Sequence, residues 1–306
     1  MEIIVLGAGA IGSFYGARLA ADNDVTLVGR GEHVAAINSS GLRIEGLESR
    51  IVRVRAATAI DQLSSNALII LTTKVPDGAT ALRPVAALVR DDTTILCLQN
   101  GLGSERIARD AVGGRGVVLR GITQFGAILK SPSVIQFMAR GYTVIEQHER
   151  SPQLADTLSA AGLDCRISSD IAADVWHKLV VNCVVNPITA MLGCEVGGIA
   201  NPELEPLKRL VIDECIAVAA AQRRILNGDF LREIDDFFWP SHNIASMLQD
   251  LRRHRRTEID YLNGAVAALG AREGIDCPVN AALTEIIKAM EAASLVPQKM
   301  LEPETA

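Results

Sequence analysis

The sequence predicts an α/β protein in two parts, an N-terminal domain over residues 1–167 and an all-helical domain over residues 168–306. In the first part, short apolar runs alternate with stretches of helical periodicity. Such alternation is typical of βαβ units and a parallel sheet. From about Ser168 the short apolar runs stop and long helix-like segments follow. We therefore place the domain boundary near Ser168.

The elements predicted in the first domain begin at residue 2. EIIVLGAGAIGSFYGARLA, residues 2–20, predicts a strand, a tight glycine turn and a helix. Four later runs predict further strands, namely DVTLVGR, ALIILTTK, TILCLQNG and YTVIEQ. The run GVVLRGITQFGAI predicts one more strand, and VPDGATALRPVAALV predicts a helix.

Three long segments predict the helices of the second domain. They are DIAADVWHKLVVNCVVNPITAML, LEPLKRLVIDECIAVAAAQRRI and MLQDLRRHRRTEIDYLNGAVAALGARE. We expect Pro187 to kink or interrupt the first of them, because proline has no backbone N–H to donate. Long apolar helices such as the second would pack within one chain or between two copies, so a homodimer stays open.

The composition narrows the class of protein. Hydrophobic residues make up 49% and charged residues 22%, as in soluble globular proteins, and the net charge of -6 disfavours non-specific nucleic-acid binding. The six cysteines are scattered with no C-x-x-C pair, which argues against a metal site and fits a reducing cytoplasm. No apolar run approaches the roughly 18 residues of a membrane span. We expect a cytoplasmic protein with no signal peptide, membrane partner or metal.

Gly7, Gly9 and Gly12 form a G-x-G-x-x-G pattern between the first predicted strand and its helix. In this context the pattern predicts a Rossmann-type turn that binds the pyrophosphate of a dinucleotide. The first glycine permits the turn, the second lets the backbone approach the pyrophosphate, and the third allows close helix packing. The predicted cofactor-binding residues of the turn are Gly7, Ala8, Gly9, Ala10, Ile11 and Gly12. The alternative is a glycine-rich turn without a ligand.

The second predicted strand ends in Arg30, where an NAD site would carry an acidic residue for the ribose hydroxyls. An arginine suits a 2′-phosphate, so we favour NADPH/NADP+ as the cofactor. Glu32 keeps NAD open, and an exposed strand end is the alternative for Arg30. Lys74 and Asn100 follow two later strands, and ligands in such sheets bind beyond the C-terminal strand ends. We predict both as cofactor contacts, although Lys74 also suits an ordinary strand end.

Lys178, Asn182 and Asn186 form a polar line in an otherwise apolar helical segment. Residues four apart stack on one face of a helix, and burying such groups costs free energy unless each finds a partner. A surface helix usually carries charges along its whole exposed face. The line therefore predicts the lining of a ligand site, with a solvated helix face as the alternative.

Glu258 is the candidate partner for Lys178. It falls in an apolar stripe of helical spacing, which is formed by Leu251, Leu262, Ala265 and Leu269. The alternative is a partly exposed glutamate paired with Arg255. Ser246 opens the capping-box pattern SMLQ, and it either caps the helix or also offers its hydroxyl to a ligand. The run RRHRR predicts the solvated side of the same helix, with an anion site as the alternative.

These residue types support the reduction of a carbonyl group. A bound nicotinamide donates a hydride to an electrophilic carbon, and the developing alkoxide then needs a proton or a cation. Lys178 can supply either, whereas His177 lies about 100° round the helix. No metal-ligand cluster and no Ser/His/Asp or Cys/His grouping competes in the sequence. The non-enzyme alternative is a dinucleotide-binding redox sensor, which would need only the glycine turn.

The same residues carry a resemblance to a known family. Over nearly its whole length the chain resembles the ketopantoate reductase family (2-dehydropantoate 2-reductase). The motifs are VLGAGAIG, LQNGLG, GITQFGA, WHKLVVNCVVNPITA, SMLQDLRRHRRTEIDYLNGAV and, near the end, CPVN followed by IIKAME. The last three together are specific to the family.

The resemblance implies NADPH-dependent reduction of ketopantoate, a 2-oxo acid, to pantoate on the route to pantothenate and coenzyme A. It implies that Lys178 is the general acid and that Glu258 holds the substrate and orients the lysine. The substrate contacts that it implies are Asn100, Asn182, Asn186 and Ser246. It also implies that Asn100 lies between the nicotinamide and the substrate.

Three positions depart from the family pattern. Val196 stands where many members carry Asn, Asp77 stands where Gln is common, and the region near Phe137 lacks a frequent His. A valine makes no side-chain hydrogen bond, so these departures leave the identity of the substrate open. The alternative enzyme is a family member that reduces another small, more apolar 2-oxo acid.

Overall fold

The computed structural model describes residues 1–295 in two compact units, Met1–Asp174 and a second unit that begins at Val175. The strands of the first unit are β1 (Glu2–Leu6), β2 (Asp24–Val28), β3 (Leu42–Gly46), β4 (Arg50–Val52), β5 (Arg55–Ala57), β6 (Leu68–Leu71), β7 (Thr94–Cys97), β8 (Val117–Thr123), β9 (Gly126–Ser131), β10 (Val134–Ala139), β11 (Thr143–Glu146) and β12 (Cys165–Ser168). Its helices are α1 (Ala10–Leu19), α2 (Gly31–Ser40), α3 (Val75–Leu82), α4 (Ser104–Ala111) and α5 (Ser151–Ala160).

The main sheet has eight strands in the order β12-β11-β8-β7-β6-β1-β2-β5. The neighbouring strands in the series β8-β7-β6-β1-β2-β5 all run parallel, as predicted, whereas β11 runs antiparallel to β8. Ile3 and Val5 of β1 belong to one hydrophobic core and Ile4 and Leu6 to another, so both faces of the sheet are covered. Strands buried on both faces read as continuous apolar runs. The predicted α/β fold class is confirmed.

A second sheet, with the order β4-β3-β10-β9, was not predicted. The run GVVLRGITQFGAI is not one strand, because β8 ends at Thr123 and β9 begins at Gly126 in the second sheet. At the break, the Gln124 amide donates to the Tyr142 carbonyl at 2.9 Å, and Phe125 packs 5.3 Å from the Phe14 ring. Packing of this aromatic side chain therefore redirects a chain that local propensity would keep extended.

The helix predicted after Lys74 is shorter than expected. It ends at Leu82 as α3 and continues only as a 3-10 turn, Arg83–Val85. Pro84 gives the physical reason, since it has no N–H for the helical bond to the residue four positions earlier.

The second unit consists of helices and 3-10 turns as far as residue 295. Its helices are α6 (Ile171–Leu192, which begins just before the unit), α7 (Glu205–Ala221), α8 (Phe230–Phe238), α9 (Ser246–Arg252), α10 (Asn263–Glu273) and α11 (Pro278–Leu295). The first two predicted helices are confirmed as α6 and α7. The third was wrong, because residues 247–273 form α9, an irregular segment, the 3-10 turn Ile259–Tyr261 and α10.

The break between α9 and α10 has tertiary causes. His254 takes a left-handed φ of 52°, so the helix cannot continue through it. Downstream, the Glu291 carboxylate on α11 accepts from the Thr257 amide at 2.7 Å, and the Thr257 hydroxyl accepts from the Ile259 amide at 3.2 Å. A distant carboxylate thus holds a segment whose local sequence favours a helix.

Pro187 does not interrupt α6, which runs through it to Leu192. Its missing N–H leaves the Cys183 carbonyl without a helical partner. The Asn263 side-chain amide fills that place and donates to this carbonyl at 2.9 Å. Asn263 is fully buried, and its amide also donates to Asn280 at 2.9 Å.

By length and composition alone, α6 is apolar enough to cross a membrane, although 67% of its most apolar stretch is buried inside the protein. No apolar run of that length was expected from the sequence, because Lys178 and Asn182 interrupt this segment. The burial is that of a core helix.

Candidate functional site

The glycine turn lies between β1 and α1. The Gly7 and Ala8 amides donate to the Val28 carbonyl of β2 at 3.0 and 2.9 Å, which fastens the turn to the neighbouring strand. Helix α1 begins at Ala10, and no side chain caps its N-terminus. The N–H groups of its first turn are therefore available to an anion at the positive end of the helix dipole.

The three glycines differ in the space around them. A Cβ at Gly7 would lie 2.5 Å from the Thr73 nitrogen, and φ there is +108°. A Cβ at Gly12 would lie 2.2 Å from the Gly7 carbonyl oxygen, so the protein itself excludes a side chain. At Gly9 the nearest atom is 3.9 Å away, so the protein has room there. The fold explains Gly7 and Gly12, whereas Gly9 leaves space for the close approach of a ligand such as a pyrophosphate.

The other predicted cofactor residues lie at the same edge of the sheet. Arg30 follows β2, Lys74 follows β6 and Asn100 follows β7. These strands and β1 are neighbours in parallel register, with Leu6 opposite both Val28 and Leu71 and with Leu71 opposite Cys97. We call the glycine turn and these three strand ends the strand-end edge; the order along it is Arg30, glycine turn, Lys74, Asn100.

The three strand-end residues have different surroundings. Arg30 is exposed and immediately precedes α2, whereas Lys74 and Asn100 are half-buried. Gln99 is buried, and its amide donates to the Thr73 hydroxyl at 3.3 Å and to the Lys74 carbonyl at 3.2 Å. This tie between β6 and β7 was not predicted; its signal is an amide at the end of an apolar strand, directly before Asn100.

A buried histidine behind the glycine turn was also not predicted. The His33 Nδ1 accepts from the Ser133 amide at 3.0 Å, so the neutral ring carries its hydrogen on Nε2, which lies 3.0 Å from the Ser13 hydroxyl. Burial lowers the pKa of His33, which favours this neutral form. The ring therefore joins the starts of α1 and α2 to the second sheet.

In the second unit, Lys178, Asn182 and Asn186 lie four residues apart on the continuous helix α6. Lys178 and Asn182 are half-buried and Asn186 is 7% exposed, so the line is not a solvated face. His177 turns elsewhere, since its Nε2 lies 3.0 Å from the Glu233 carboxylate of α8. The polar line is thus separate from the face that packs on α8.

Ser246 is the first residue of α9 and is exposed. The predicted capping box was wrong, because the N-cap is Ala245 and no side chain caps this helix. Gln249 instead donates its side-chain amide to the Ile244 carbonyl at 2.8 Å. The Ser246 hydroxyl is therefore not committed to capping α9.

Glu258 is half-buried and lies in the irregular segment before the 3-10 turn, not within a helix. The apolar stripe that suggested its position was wrong, since Leu251 belongs to α9 and Leu269 to α10. Five residues after Glu258, Asn263 holds the Cys183 carbonyl of α6. The segment that carries Glu258 is thereby tied to the helix that carries Lys178. We call α6, Ser246 and the segment from Glu258 to Asn263 the α6 region.

The sequence interpretation missed Asn263, although a signal exists. A proline inside a buried helix frees one carbonyl, and some buried donor must satisfy it. The run RRHRR was expected on one helix face, but only Arg252 lies in α9, where it donates to the Gly193 carbonyl at 3.1 Å.

The buried cysteines Cys97 and Cys183 supply no reactive thiolate. All six cysteines are free, and burial raises the pKa of the Cys97 thiol to about 12 and that of Cys183 well above its ordinary value. Within residues 1–295, no group of three His, Cys, Asp or Glu side chains could hold a metal ion.

Two family models match the chain. The model described as "Ketopantoate reductase PanE/ApbA" covers residues 3–150, and the one described as its C terminal covers residues 170–291. A 2-dehydropantoate 2-reductase of Pyrococcus horikoshii is 38% identical over 95% of this chain and 98% of its own length. One of Archaeoglobus fulgidus is 33% identical over the same shares of both chains.

Solved structures also resemble the chain. A PanE/ApbA family ketopantoate reductase from Ralstonia eutropha JMP134 has a TM-score of 0.89 at 29% identity, covering 97% of this chain and 100% of its own. A D-mandelate dehydrogenase bound to NADH and anilino(oxo)acetate has a TM-score of 0.90 at 29% identity, with the same coverage. The similarity thus extends to a protein that holds a nicotinamide cofactor.

Proposed function

The chain belongs to the ketopantoate reductase family, and from this membership and the site geometry we propose that it reduces 2-dehydropantoate to pantoate with NADPH. The reaction would serve pantothenate and coenzyme A biosynthesis. The observation that carries the proposal is the polar line of Lys178, Asn182 and Asn186 in an apolar helix, half-buried at the first two residues and buried at the third. A chain that only bound a dinucleotide would not need it. Six free cysteines fit a cytoplasmic enzyme.

The strand-end edge fits the proposed cofactor. The uncapped start of α1 and the open space at Gly9 suit a pyrophosphate. The exposed guanidinium of Arg30 can pair with a 2′-phosphate, and Lys74 and Asn100 flank the turn on its other side. When bound, the cofactor supplies the hydride that adds to the substrate's carbonyl carbon.

We assign the proton transfer to Lys178. As the carbonyl carbon becomes tetrahedral, its oxygen takes up negative charge and then the proton of the lysine ammonium, which leaves a hydroxyl group. Glu258 orients the ammonium and binds substrate, since a carboxylate accepts from an ammonium and from a hydroxyl. Asn182, Asn186 and Ser246 bind the polar groups of the substrate.

Steady-state assays with NADPH test the proposed reaction. We expect oxidation of NADPH with ketopantoate, and a lower kcat/KM with pyruvate and with phenylglyoxylate. Turnover of other 2-oxo acids but not ketopantoate would overturn the substrate assignment. Binding of NADPH without turnover of any 2-oxo acid would overturn the enzyme and favour a redox sensor.

The cofactor preference has its own test in Arg30→Ala. We expect this variant to bind NADPH at least ~10-fold more weakly, the scale of a lost charge-assisted pair, while NADH binding hardly changes. Titration calorimetry with both dinucleotides measures the ratio. Arg55→Ala is the control, because this exposed arginine pairs with Asp24 at 2.7 Å near the opposite end of β2. Equal losses for NADPH and NADH would mean that Arg30 does not bind the 2′-phosphate.

One observation favours a second candidate, the reduction of a more apolar 2-oxo acid. The D-mandelate dehydrogenase with the TM-score of 0.90 is bound to anilino(oxo)acetate, which carries an aromatic ring. In this chain, Val196 begins the 3-10 turn Val196–Ala200 and is 2% exposed. Its amide donates to the Asn243 carbonyl at 2.8 Å, in the segment that leads to Ser246. A higher kcat/KM for phenylglyoxylate than for ketopantoate would support this candidate.

A further inference from the structure

Arg120 is a charged residue buried inside the apolar strand β8. It is 4% exposed, in the run VVLRGIT. A buried charge is costly unless it is hydrogen-bonded and balanced. Here the carboxylate of Glu105, at the start of α4, lies 3.7 Å from Nε. Burial of this guanidinium therefore depends on the hydrogen bonds that it donates.

The guanidinium of Arg120 holds the backbone around Asn100. Nη1 donates to the Cys97 carbonyl at 3.0 Å and to the Gly121 carbonyl at 2.8 Å. Nη2 donates to the Gly101 carbonyl at 3.0 Å. One planar group thereby joins the last residue of β7, the residue after Asn100 and its own strand.

The segment that carries Asn100 needs such support. Gly101 and Gly103 have φ values of 79° and 80°, so the chain turns through two left-handed positions with no side chain to pack. On the side of β6, Gln99 ties the segment to Thr73 and Lys74. On the side of β8, Arg120 ties the segment to that strand.

We propose that Arg120 is a positioning residue for the reaction, which fixes the side-chain amide of Asn100 through the carbonyls of Cys97 and Gly101. The inference rests on the proposed function, in which Asn100 contacts both cofactor and substrate. Arginine suits the task because its donors form a rigid fork, whereas the single nitrogen of lysine cannot span carbonyls on both sides of the turn. A lysine at position 120 would keep the charge and lose the geometry.

Arg150 provides a matched control in the same unit. Its guanidinium also donates to backbone carbonyls, those of Asp91 at 2.8 Å and Asp92 at 3.0 Å. These carbonyls precede β7, whereas Cys97 and Gly101 end and follow it. Arg150→Met should therefore lower the melting temperature without changing kcat or KM.

The test is a double-mutant cycle with Arg120→Met and Asn100→Ala, measured as kcat/KM for the 2-oxo acid at saturating NADPH. We expect Arg120→Met alone to lower kcat/KM by ~10- to 100-fold, the scale of a misplaced contact group. In the Asn100→Ala background the same substitution should have little further effect. An equal loss in both backgrounds would overturn the proposal, as would an effect no larger than that of Arg150→Met.

Two further measurements keep the proposal testable if Arg120→Met folds poorly or the enzyme proves inactive. Arg120→Lys preserves the charge, and it should also lower kcat/KM; wild-type values would show that the charge alone suffices. Amide hydrogen exchange needs no turnover, and Arg120→Lys should speed exchange in residues 98–103 while Arg150→Met does not. Unchanged exchange there would overturn the proposal, whereas absence of wild-type turnover would overturn only the proposed function.

Discussion

The strand-end edge and the α6 region differ in the chemical groups that they offer to a ligand. At the glycine turn of the strand-end edge, the proposed contacts for the dinucleotide are backbone N–H groups and a position, Gly9, where no side chain stands. In the α6 region, the proposed contacts for the substrate are the ammonium, amide and carboxylate groups of side chains. Backbone groups take their places from the local turn and the sheet register. Side-chain groups depend on distant partners, such as Asn263 for α6 and Glu291 for the segment around Glu258.

The largest effect that we expect concerns the side-chain chemistry of the α6 region. Lys178→Ala should lower kcat by at least ~100-fold, the scale of losing a general acid, with little change in NADPH binding. Steady-state kinetics and dinucleotide titration measure the two effects. Lys288→Ala is the control, because this lysine pairs with Asp260 at 2.7 Å and is 41% exposed. Near wild-type turnover of Lys178→Ala would remove Lys178 from the mechanism.

Substitutions at two glycines of the strand-end edge should instead affect stability in one case and dinucleotide binding in the other. Gly12→Ala should destabilise the protein by ~1–3 kcal/mol, the cost of overpacking, because its Cβ would meet the Gly7 carbonyl. Gly9→Ala should leave the melting temperature near that of wild type, since the protein has room there. It should nevertheless weaken dinucleotide binding at least ~10-fold by blocking close approach of the pyrophosphate. Thermal unfolding and calorimetric titration separate the two effects. Unchanged binding by Gly9→Ala would mean that the pyrophosphate does not approach Gly9.

The same contrast explains which parts of the molecule could be predicted from sequence. The glycine turn, β1, β2, β6 and β7 were predicted because the pattern and the apolar runs are local signals. The line of Lys178, Asn182 and Asn186 was predicted because it depends only on helical spacing, and α6 is continuous.

Except for the early end of α3 at Pro84, the wrong or missing predictions concern segments whose structure is set by distant partners. Helical spacing was extended from Leu251 to Leu269, although the Glu291 carboxylate on α11 holds the intervening chain at Thr257. The second sheet was missed because its two hairpins, β3 with β4 and β9 with β10, are joined only through β3 and β10, which lie far apart in sequence. Arg120 was missed although a charge inside an apolar strand is a visible signal. Its role depends on the Gly101 carbonyl, 19 residues away.

The buried contact between Asn263 and α6 tests how far the α6 region depends on a distant partner. Asn263→Ala should lower the free energy of unfolding by ~1–3 kcal/mol, because the buried Cys183 carbonyl loses its donor. Pro187→Ala would restore a helical N–H for the same carbonyl. In that background Asn263→Ala should therefore cost less, and denaturant unfolding of all four proteins gives the coupling. Strict additivity would show that the Cys183 carbonyl does not couple the two positions.

The smallest effect that we expect concerns His33. This side chain contacts the start of α1, so it makes the backbone of the glycine turn depend on a side chain as well. The folded state lowers the pKa of His33 by burying the ring, so the unfolded chain binds the proton more readily. Stability from this group is therefore present above the ordinary histidine pKa of 6.5 and is lost as the pH falls below it. Protonation would place a hydrogen on Nδ1, where the ring accepts from the Ser133 amide.

His33→Asn is the matched variant, because the asparagine oxygen can replace Nδ1 as the acceptor and does not titrate. We expect the free energy of unfolding of the wild type to fall more steeply than that of His33→Asn as the pH is lowered below 6.5. Dinucleotide affinity measured over the same range should fall with it, since Ser13 of α1 follows directly after Gly12 and bonds to this ring. Parallel pH profiles for the two proteins would mean that the His33 ring does not support the glycine turn.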